Sequence, residues 1–182
     1  MKGKLIVISG PSGVGKSTIR SRLINDENNF WYSISMTTRS PRDEEVDGVD
    51  YYFVSKDDFL KNISNNNFLE YAQVYNNIFY GTPKDKVVKM LNKGINVVLE
   101  IDVEGAFIVK KNYPDAILIF IAPPSEDDLE VRLRLRNTDN EDKIIERVNK
   151  AKYELSFKDK YDYVVINDDV DRCLEELKNI VK

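Results

Sequence analysis

The chain has 182 residues, 42% hydrophobic and 32% charged, with a formal net charge of −4, one cysteine and no histidine. That length and apolar share suit one domain with a sizeable core, and the mixed, slightly acidic charge argues against a general nucleic-acid binder. Disulfide scaffolds, zinc sites and imidazole-dependent triads are excluded on residue supply. The N-terminus lacks a signal-peptide layout and no apolar run reaches membrane-spanning length, so a cytoplasmic setting is expected, with no membrane partner and no obligate protein partner.

Lys4–Leu5–Ile6–Val7–Ile8 reads as a buried strand, and Ile19, Leu23 and Ile24 recur at helical spacing soon after it. Between them lies Gly10–Pro11–Ser12–Gly13–Val14–Gly15–Lys16–Ser17, a P-loop pattern in the strand–loop–helix context it requires. Its glycines allow backbone N–H groups to turn toward phosphate oxygens, and the helix N-terminus adds partial positive charge. In that role Lys16 reaches the β- and γ-phosphates of a nucleoside triphosphate and the Ser17 hydroxyl holds Mg²⁺.

Phe30–Ser35 predicts a short strand, followed by the hydroxyl- and arginine-rich segment Met36–Arg42, an acidic turn at Asp43–Glu45 and a turn at Gly48. Asp50–Val54 is strand-like. Ser55–Asp58 is a capping box opening a helix with Phe59, Leu60 and Ile63. Phe68–Tyr75 and Ile78–Tyr80 predict a hairpin around Asn76–Asn77. Pro83 suits the first turn of a helix that Gly94 ends. Ile95–Asp102 predicts a strand with acidic residues at its C-terminal end, followed by a short helix through Ala106–Val109. Ala116–Ile121 is a near-continuous apolar strand, as a parallel sheet covered on both faces requires. A second capping box at Ser125–Asp128 opens a helix broken at Asn137–Asn140. Helices over about 141–157 and 169–182 flank a last strand at Tyr163–Ile166, and Cys173 sits at a core position of the last helix. Alternating strands and helices predict an α/β fold with an open parallel sheet covered on both faces.

The arginines narrow the chemistry. Arg39, Arg42, Arg132, Arg136 and Arg147 lie in segments that can face phosphate, whereas Arg134 and Arg172 read as solvated or carboxylate-paired. Guanidinium forks match phosphate oxygens bidentately. A P-loop plus a second arginine cluster implies two phosphate-bearing substrates, and phosphoryl transfer between them needs positioning and charge neutralisation rather than histidine.

Over essentially its whole length the sequence resembles the guanylate kinases. The resemblance rests on Gly10–Ser17, Ser35–Met36–Thr37–Thr38–Arg39–Ser40–Pro41–Arg42, Gly48–Val49–Asp50–Tyr51–Tyr52–Phe53, Glu70–Tyr71–Ala72, Tyr80–Gly81–Thr82 and Ile101–Asp102–Val103–Glu104–Gly105. It implies a P-loop NTPase three-layer fold, with a core of 1–34, 83–124 and 151–182, a mixed GMP-binding lobe over 35–82 and a helical lid over 125–150. It implies Mg²⁺-dependent transfer of the ATP γ-phosphoryl group to GMP. Ser35, Glu70, Thr82 and Asp102 would read guanine. Arg39, Arg42, Tyr51 and Tyr80 would hold the GMP phosphate. Gly10, Pro11, Ser12, Gly13, Val14, Gly15, Lys16, Ser17 and Thr18 would bind ATP together with Arg132, Arg136 and Asn167, the last near the adenine. Lys16, Arg39, Arg132, Arg136 and Arg147 would be the catalytic cations. Ser17 would ligate the metal, with Glu100 acting through a water.

The sequence departs from the family pattern in three places. Thr82 stands where serine is common, Glu100 where aspartate is frequent, and Asn137 where glycine is common. Two other readings share parts of the pattern: a phosphopeptide-binding module of the same fold without catalysis, and a kinase for another phosphorylated small molecule such as a ribosyl bisphosphate. The intact Lys16 and arginines weigh against the first, and the set Glu70, Tyr80 and Asp102 against the second. A GTPase reading lacks an Asn–Lys–x–Asp segment.

Overall fold

The computed structural model describes residues 2–26, 29–74, 77–135 and 141–182. Five parallel strands form its central sheet: β1 (Leu5–Ser9), β2 (Phe30–Tyr32), β7 (Asn96–Glu100), β8 (Ile117–Ala122) and β9 (Tyr163–Ile166), in the order β2-β7-β1-β8-β9. β1 is central because both of its neighbours, β7 and β8, return to it through crossover connections. Its side chains alternate between the two cores. Ile6 and Ile8 join Ile19 and Leu23 of α1 (Lys16–Asp26) and Cys173, Leu174, Leu177 and Val181 of α7 (Val170–Val181). Leu5 and Val7 face Val87 and Leu91 of α3 (Lys84–Asn92) and Val103, Ala106 and Val109 of α4 (Val103–Asn112). Helices therefore cover both faces, and the inner strands β1 and β8 are near-continuous apolar runs, as a doubly covered sheet requires.

The C-terminal ends of the parallel strands point to one edge, where α/β sheets place their ligands. β1 delivers the P-loop there, β7 delivers Glu100 and Asp102, and β9 delivers Asn167. A second, mixed sheet stands against this edge, with strand order β4-β3-β6-β5. Its strands are β3 (Met36–Thr37), β4 (Tyr52–Phe53), β5 (Phe68–Val74) and β6 (Ile78–Pro83); β5 and β6 form the expected antiparallel hairpin. α2 (Lys56–Ser64) is capped by Ser55, whose Oγ accepts the Asp58 N–H at 3.1 Å. The other capping box behaves alike: Ser125 Oγ accepts the Asp128 N–H at 3.0 Å and starts α5 (Glu126–Leu135). α6 (Glu141–Leu155) runs unbroken across position 150.

Three local expectations change. The strand read at Asp50–Val54 contracts to Tyr52–Phe53, because the chain before it closes a turn: the Asp50 N–H goes to the Val46 carbonyl at 3.0 Å and the Tyr51 carbonyl accepts the Gly48 N–H at 2.8 Å. The carboxylates brace that turn, Asp50 accepting from Val46 at 2.8 Å and Asp47 from Phe53 at 2.9 Å. Pro83 is not in the first helical turn. It ends β6 and stands at the N-cap of α3 in an extended conformation. The hairpin carries a register irregularity between Phe68 and Glu70, where Phe68 pairs with Pro83 and Glu70 with Thr82. The expected turn at Asn76 and the break at Asn137–Asn140 lie outside the described residues.

Ile119 is fully buried at the middle of β8, next to β1. Ile119→Ala is expected to lower unfolding free energy by about 2–5 kcal/mol, read as a shifted urea midpoint with an unchanged slope.

Candidate functional site

The P-loop is shaped by contacts that leave no room for side chains. Gly10 has φ +144°, and a Cβ there would lie 2.2 Å from the Ile121 carbonyl oxygen. Gly15 has φ +95°, and its Cβ would lie 2.6 Å from Asn167 Nδ2. Asn167 is buried and donates that Nδ2–H to the Val14 carbonyl at 2.7 Å. The loop is thus pinned from β8 on one side and β9 on the other. Lys16 folds back over it, its Nζ donating to the Gly10 carbonyl at 2.6 Å and the Pro11 carbonyl at 3.0 Å. Ser17 and Thr18 are exposed in the first turn of α1.

Two cavities open beside the loop. One, of about 390 Å³, is lined by Gly10, Ser12, Lys16, Arg147 and Glu154. The other, of about 310 Å³, is lined by Ser35, Tyr51, Glu70, Tyr80 and Gly81. They share Glu100, Ile101, Asp102 and Lys150, so they meet at the end of β7. Of the sequence-predicted residues, Gly10, Ser12, Lys16 and Arg147 thus line one half of a cleft, Ser35, Tyr51, Glu70 and Tyr80 line the other, and Glu100 and Asp102 lie where the halves meet.

In the second cavity, β-pairing sets Glu70 opposite Thr82. Thr82 Oγ1 donates to Glu70 Oε1 at 2.6 Å, and both side chains are buried. Burial pushes the Glu70 carboxyl up to about 7; the Thr82 hydroxyl opposes the rise, while the Asp102 charge adds to it. Asp102 caps α4, accepting the Gly105 N–H at 2.9 Å. A Cβ on Gly105 would sit 3.1 Å from Glu70 Oε2 and 3.3 Å from Asp102 Oδ1, so the two carboxylates close over a bare stretch of helix.

Around the rim, Tyr80 Oη accepts from Arg39 Nε at 3.2 Å. The Arg39 fork meets Glu45 in two bonds of 2.8 Å, and Glu45 also accepts the Arg42 N–H at 2.8 Å. Burial raises the Tyr51 hydroxyl, which lies among Tyr80, Phe53 and Arg39. The Arg42 side chain is exposed. On the other side, Arg132 of α5 donates from Nη2 to the Asn167 carbonyl at 3.0 Å rather than into either cavity. Arg136 lies outside the described residues. Arg134 is engaged by Glu130 and Glu141, and Arg172 by Asp168, as expected for surface arginines.

Sequence reasoning missed four contributors. Arg20 holds Glu100 Oε2 at 3.0 Å while its guanidinium lies 4.0 Å from the Tyr32 ring centroid. Lys150 and Glu154 enter the cleft from α6, and burial raises the Glu154 carboxyl against the lowering charges of Lys150 and Lys16. Glu45 was read only as part of an acidic turn. Position Lys150–Glu154 is an i, i+4 pair and signals a shared helix face; nothing local signals Arg20 or Glu45.

Among the described residues, no group of three or more Asp, Glu or Cys side chains is arranged to hold a metal ion by itself. A hydroxyl at Ser17 and a carboxylate at Glu100, with water and phosphate oxygens completing the shell, is the donor set that suits Mg²⁺ arriving with a triphosphate.

The Glu70 carboxyl is expected to titrate near 7 in the ligand-free protein, followed by ¹³C NMR of labelled glutamate. Thr82→Val removes the bond that favours the charged form and moves that titration upward; a midpoint near the ordinary carboxylate value would contradict the burial described above.

The guanylate kinase family model matches residues 2–182. A guanylate kinase of Clostridium tetani is 50% identical over 180 residues, covering 99% of this chain and 86% of the relative. One from Caldanaerobacter subterraneus is 51% identical, covering 99% and 87%. The crystal structure of guanylate kinase from Anaplasma phagocytophilum superposes with a TM-score of 0.80 at 34% identity, covering 99% of this chain and 85% of that one. With the P-loop and the second cavity meeting at the end of β7, these matches show that the chain belongs to the guanylate kinase family and is a nucleoside monophosphate kinase.

Proposed function

We propose that the two halves of the cleft hold ATP and GMP end to end, with the phosphates meeting beside Glu100 and Asp102. The observation that carries this reading is Glu70, a buried carboxylate fixed by Thr82 at the wall of one cavity, with the P-loop lining the other. Guanine offers adjacent donors at its ring N1–H and exocyclic amine, and an ionised carboxylate accepts both. Ser35 and Asp102 complete the base pocket. Adenine has neither donor at that edge and would leave Glu70 unpaired.

Arg39, Arg42, Tyr51 and Tyr80 take the GMP phosphate. The P-loop N–H groups from Gly10 to Thr18 take the ATP phosphates, and Asn167 acts chiefly by holding the loop through Val14, beside its assignment near the adenine. A GMP phosphate oxygen attacks the γ-phosphorus, and the bond to the bridging oxygen of ADP breaks. Lys16, Arg39, Arg132, Arg136 and Arg147 offset the charge that shifts during transfer, so catalysis is mostly positioning and electrostatics. Mg²⁺, when bound, neutralises β- and γ-phosphate oxygens; Ser17 would hold it directly and Glu100 through a water. Lys16 must exchange its loop carbonyls for phosphate oxygens, and Arg132 must leave the Asn167 carbonyl. Leu129 and Leu133 are buried in the core, so α5 stays with the core while the 35–82 lobe closes on the phosphates. Small soluble substrates support a cytoplasmic setting.

ADP release from ATP with each nucleoside monophosphate tests the reading. GMP should be preferred to AMP by on the order of 10⁴-fold. Glu70→Gln places a donor against a donor and should lower kcat/KM for GMP roughly 10²-fold, about 3 kcal/mol, with ATP affinity little changed. A variant within about threefold of the parent would move base reading to another residue.

Gly105→Ala gives a second, separable outcome. Alanine is favoured over glycine in a helix by about 1 kcal/mol, but here its methyl meets both carboxylates. Unfolding should show little loss or a small gain, while the GMP KM rises and the ATP KM does not. Equal changes in both KM values would contradict a local effect at the base pocket.

A further inference from the structure

The geometry points to Glu45 as a positioning residue for the nucleotide phosphate: it holds the end of the Arg39 guanidinium so that the side edge is presented to a phosphate monoester. The inference rests on the assignment of Arg39 to the GMP phosphate made above. A guanidinium has five N–H donors and two edges that can grip an anion bidentately, the Nη1/Nη2 end and the Nε/Nη2 side. Glu45 occupies the end: Oε2 accepts from Nη1 and Oε1 from Nη2, both at 2.8 Å. The second Nη1 hydrogen goes to the Ser40 carbonyl at 2.8 Å. Nε–H points to Tyr80 Oη, which lines the cavity. The remaining Nη2 hydrogen lies on that same side edge. A phosphate next to Tyr80 therefore meets the Nη2 hydrogen of the side edge, and the Nε–H once Tyr80 Oη yields it, without breaking the Glu45 pair.

The rest of the environment favours a fixed strut over a plug that the phosphate displaces. Both side chains are only 16% exposed. Arg39 is stacked toward the Tyr51 and Phe53 rings, with its central carbon 5.4 and 5.8 Å from their centroids. Glu45 Oε2 also accepts the Arg42 N–H at 2.8 Å, so one carboxylate ties together both arginines of the segment. Displacement would strand these donors and a carboxylate together. The Arg39 bonds hold the Glu45 carboxyl down at about 2, so it is ionised at neutral pH.

The test compares GMP with guanosine, which keeps the base and ribose but lacks the phosphate, by calorimetric titration of the full chain. Glu45→Gln is expected to weaken GMP binding about tenfold and to raise the GMP KM in step, with guanosine binding within about twofold and the ATP KM unchanged. Glu45→Asp, which keeps the charge on a shorter stem, should recover part of the loss. Because Glu45 acts through Arg39, the double variant Arg39→Lys, Glu45→Gln should bind GMP no worse than Arg39→Lys alone. Unchanged or tighter GMP binding in Glu45→Gln would overturn the inference, the tighter case marking a carboxylate that competes with phosphate. Equal loss of GMP and guanosine would also overturn it, marking a scaffold for the whole lobe. Additive losses in the double variant would do the same. Arg39→Lys alone separates this inference from its premise: if that variant binds GMP normally, the phosphate-site assignment itself fails.

Discussion

A carboxylate is hard to bury, and the arrangement of the second cavity follows from burying one. Taking an ion out of water carries an effective penalty of several kcal/mol even after relaxation. Glu70 meets that penalty partly by a short bond from Thr82 and partly by holding its proton to near neutrality. Both answers depend on backbone. The β5–β6 pairing fixes Thr82 opposite Glu70, and the absence of a side chain at Gly105 lets α4 approach the carboxylate from above. The register irregularity between Phe68 and Glu70 belongs to the same solution. It falls at Leu69, which is buried in the core while the next residue, Glu70, is buried at the cavity. Simple strand alternation would give Leu69 and Tyr71 one shared environment, yet Leu69 is buried and Tyr71 exposed.

The cations of the cleft are engaged before any substrate arrives. Arg20 lies on Glu100, Arg39 on Glu45, Arg132 on the Asn167 carbonyl and Lys16 on two loop carbonyls. On an acidic chain this is how positive charge is kept in place: each cation is oriented by an acceptor at hand. The acceptors differ in kind. Neutral carbonyls hold Lys16 and Arg132 and compete weakly with phosphate, while carboxylates hold Arg20 and Arg39 more strongly. The division matches the proposed roles, in which Lys16 and Arg132 move to the transferring group and Arg39 stays oriented.

How much was legible in the sequence depends on how far a feature reaches along the chain. The P-loop, the two capping boxes and the buried strands were legible because each is specified within about a dozen residues. Cys173 follows from helical spacing alone and is buried as expected. The Arg20–Glu100 pair was not legible, since the partners are 80 residues apart and meet only because β7 lies beside β1. Glu45 is six residues from Arg39 but sits in a run of acids that no periodicity distinguishes. The strand expected at Asp50–Val54 shortened where a backbone turn took the Asp50 N–H and the Tyr51 carbonyl, a turn braced by the Asp47 and Asp50 carboxylates. The family resemblance singled out Ser35, Glu70, Thr82 and Asp102 as candidates for reading the base, but the raised Glu70 carboxyl and its Gly105 neighbour needed the three-dimensional arrangement.

The P-loop shows why motif and fold are one constraint. Its glycines are commonly explained by the phosphate they admit, yet two of them are required here by the protein itself. Gly10 is closed off by the Ile121 carbonyl of β8, and Gly15 by the Asn167 amide after β9. Both strands lie on the same side of β1 in the order β1-β8-β9, so the loop leans onto the edge of the sheet that continues it. A side chain at either position would push the loop off that support before any nucleotide was met. Asn167 closes the circuit, its side-chain amide donating to the Val14 carbonyl and its backbone carbonyl accepting from Arg132. One residue thus connects the last strand, the phosphate loop and the helix that carries a lid arginine. Arg132, seated between the core-bound Leu129 and Leu133, is thereby held at the same residue that sets the loop's shape.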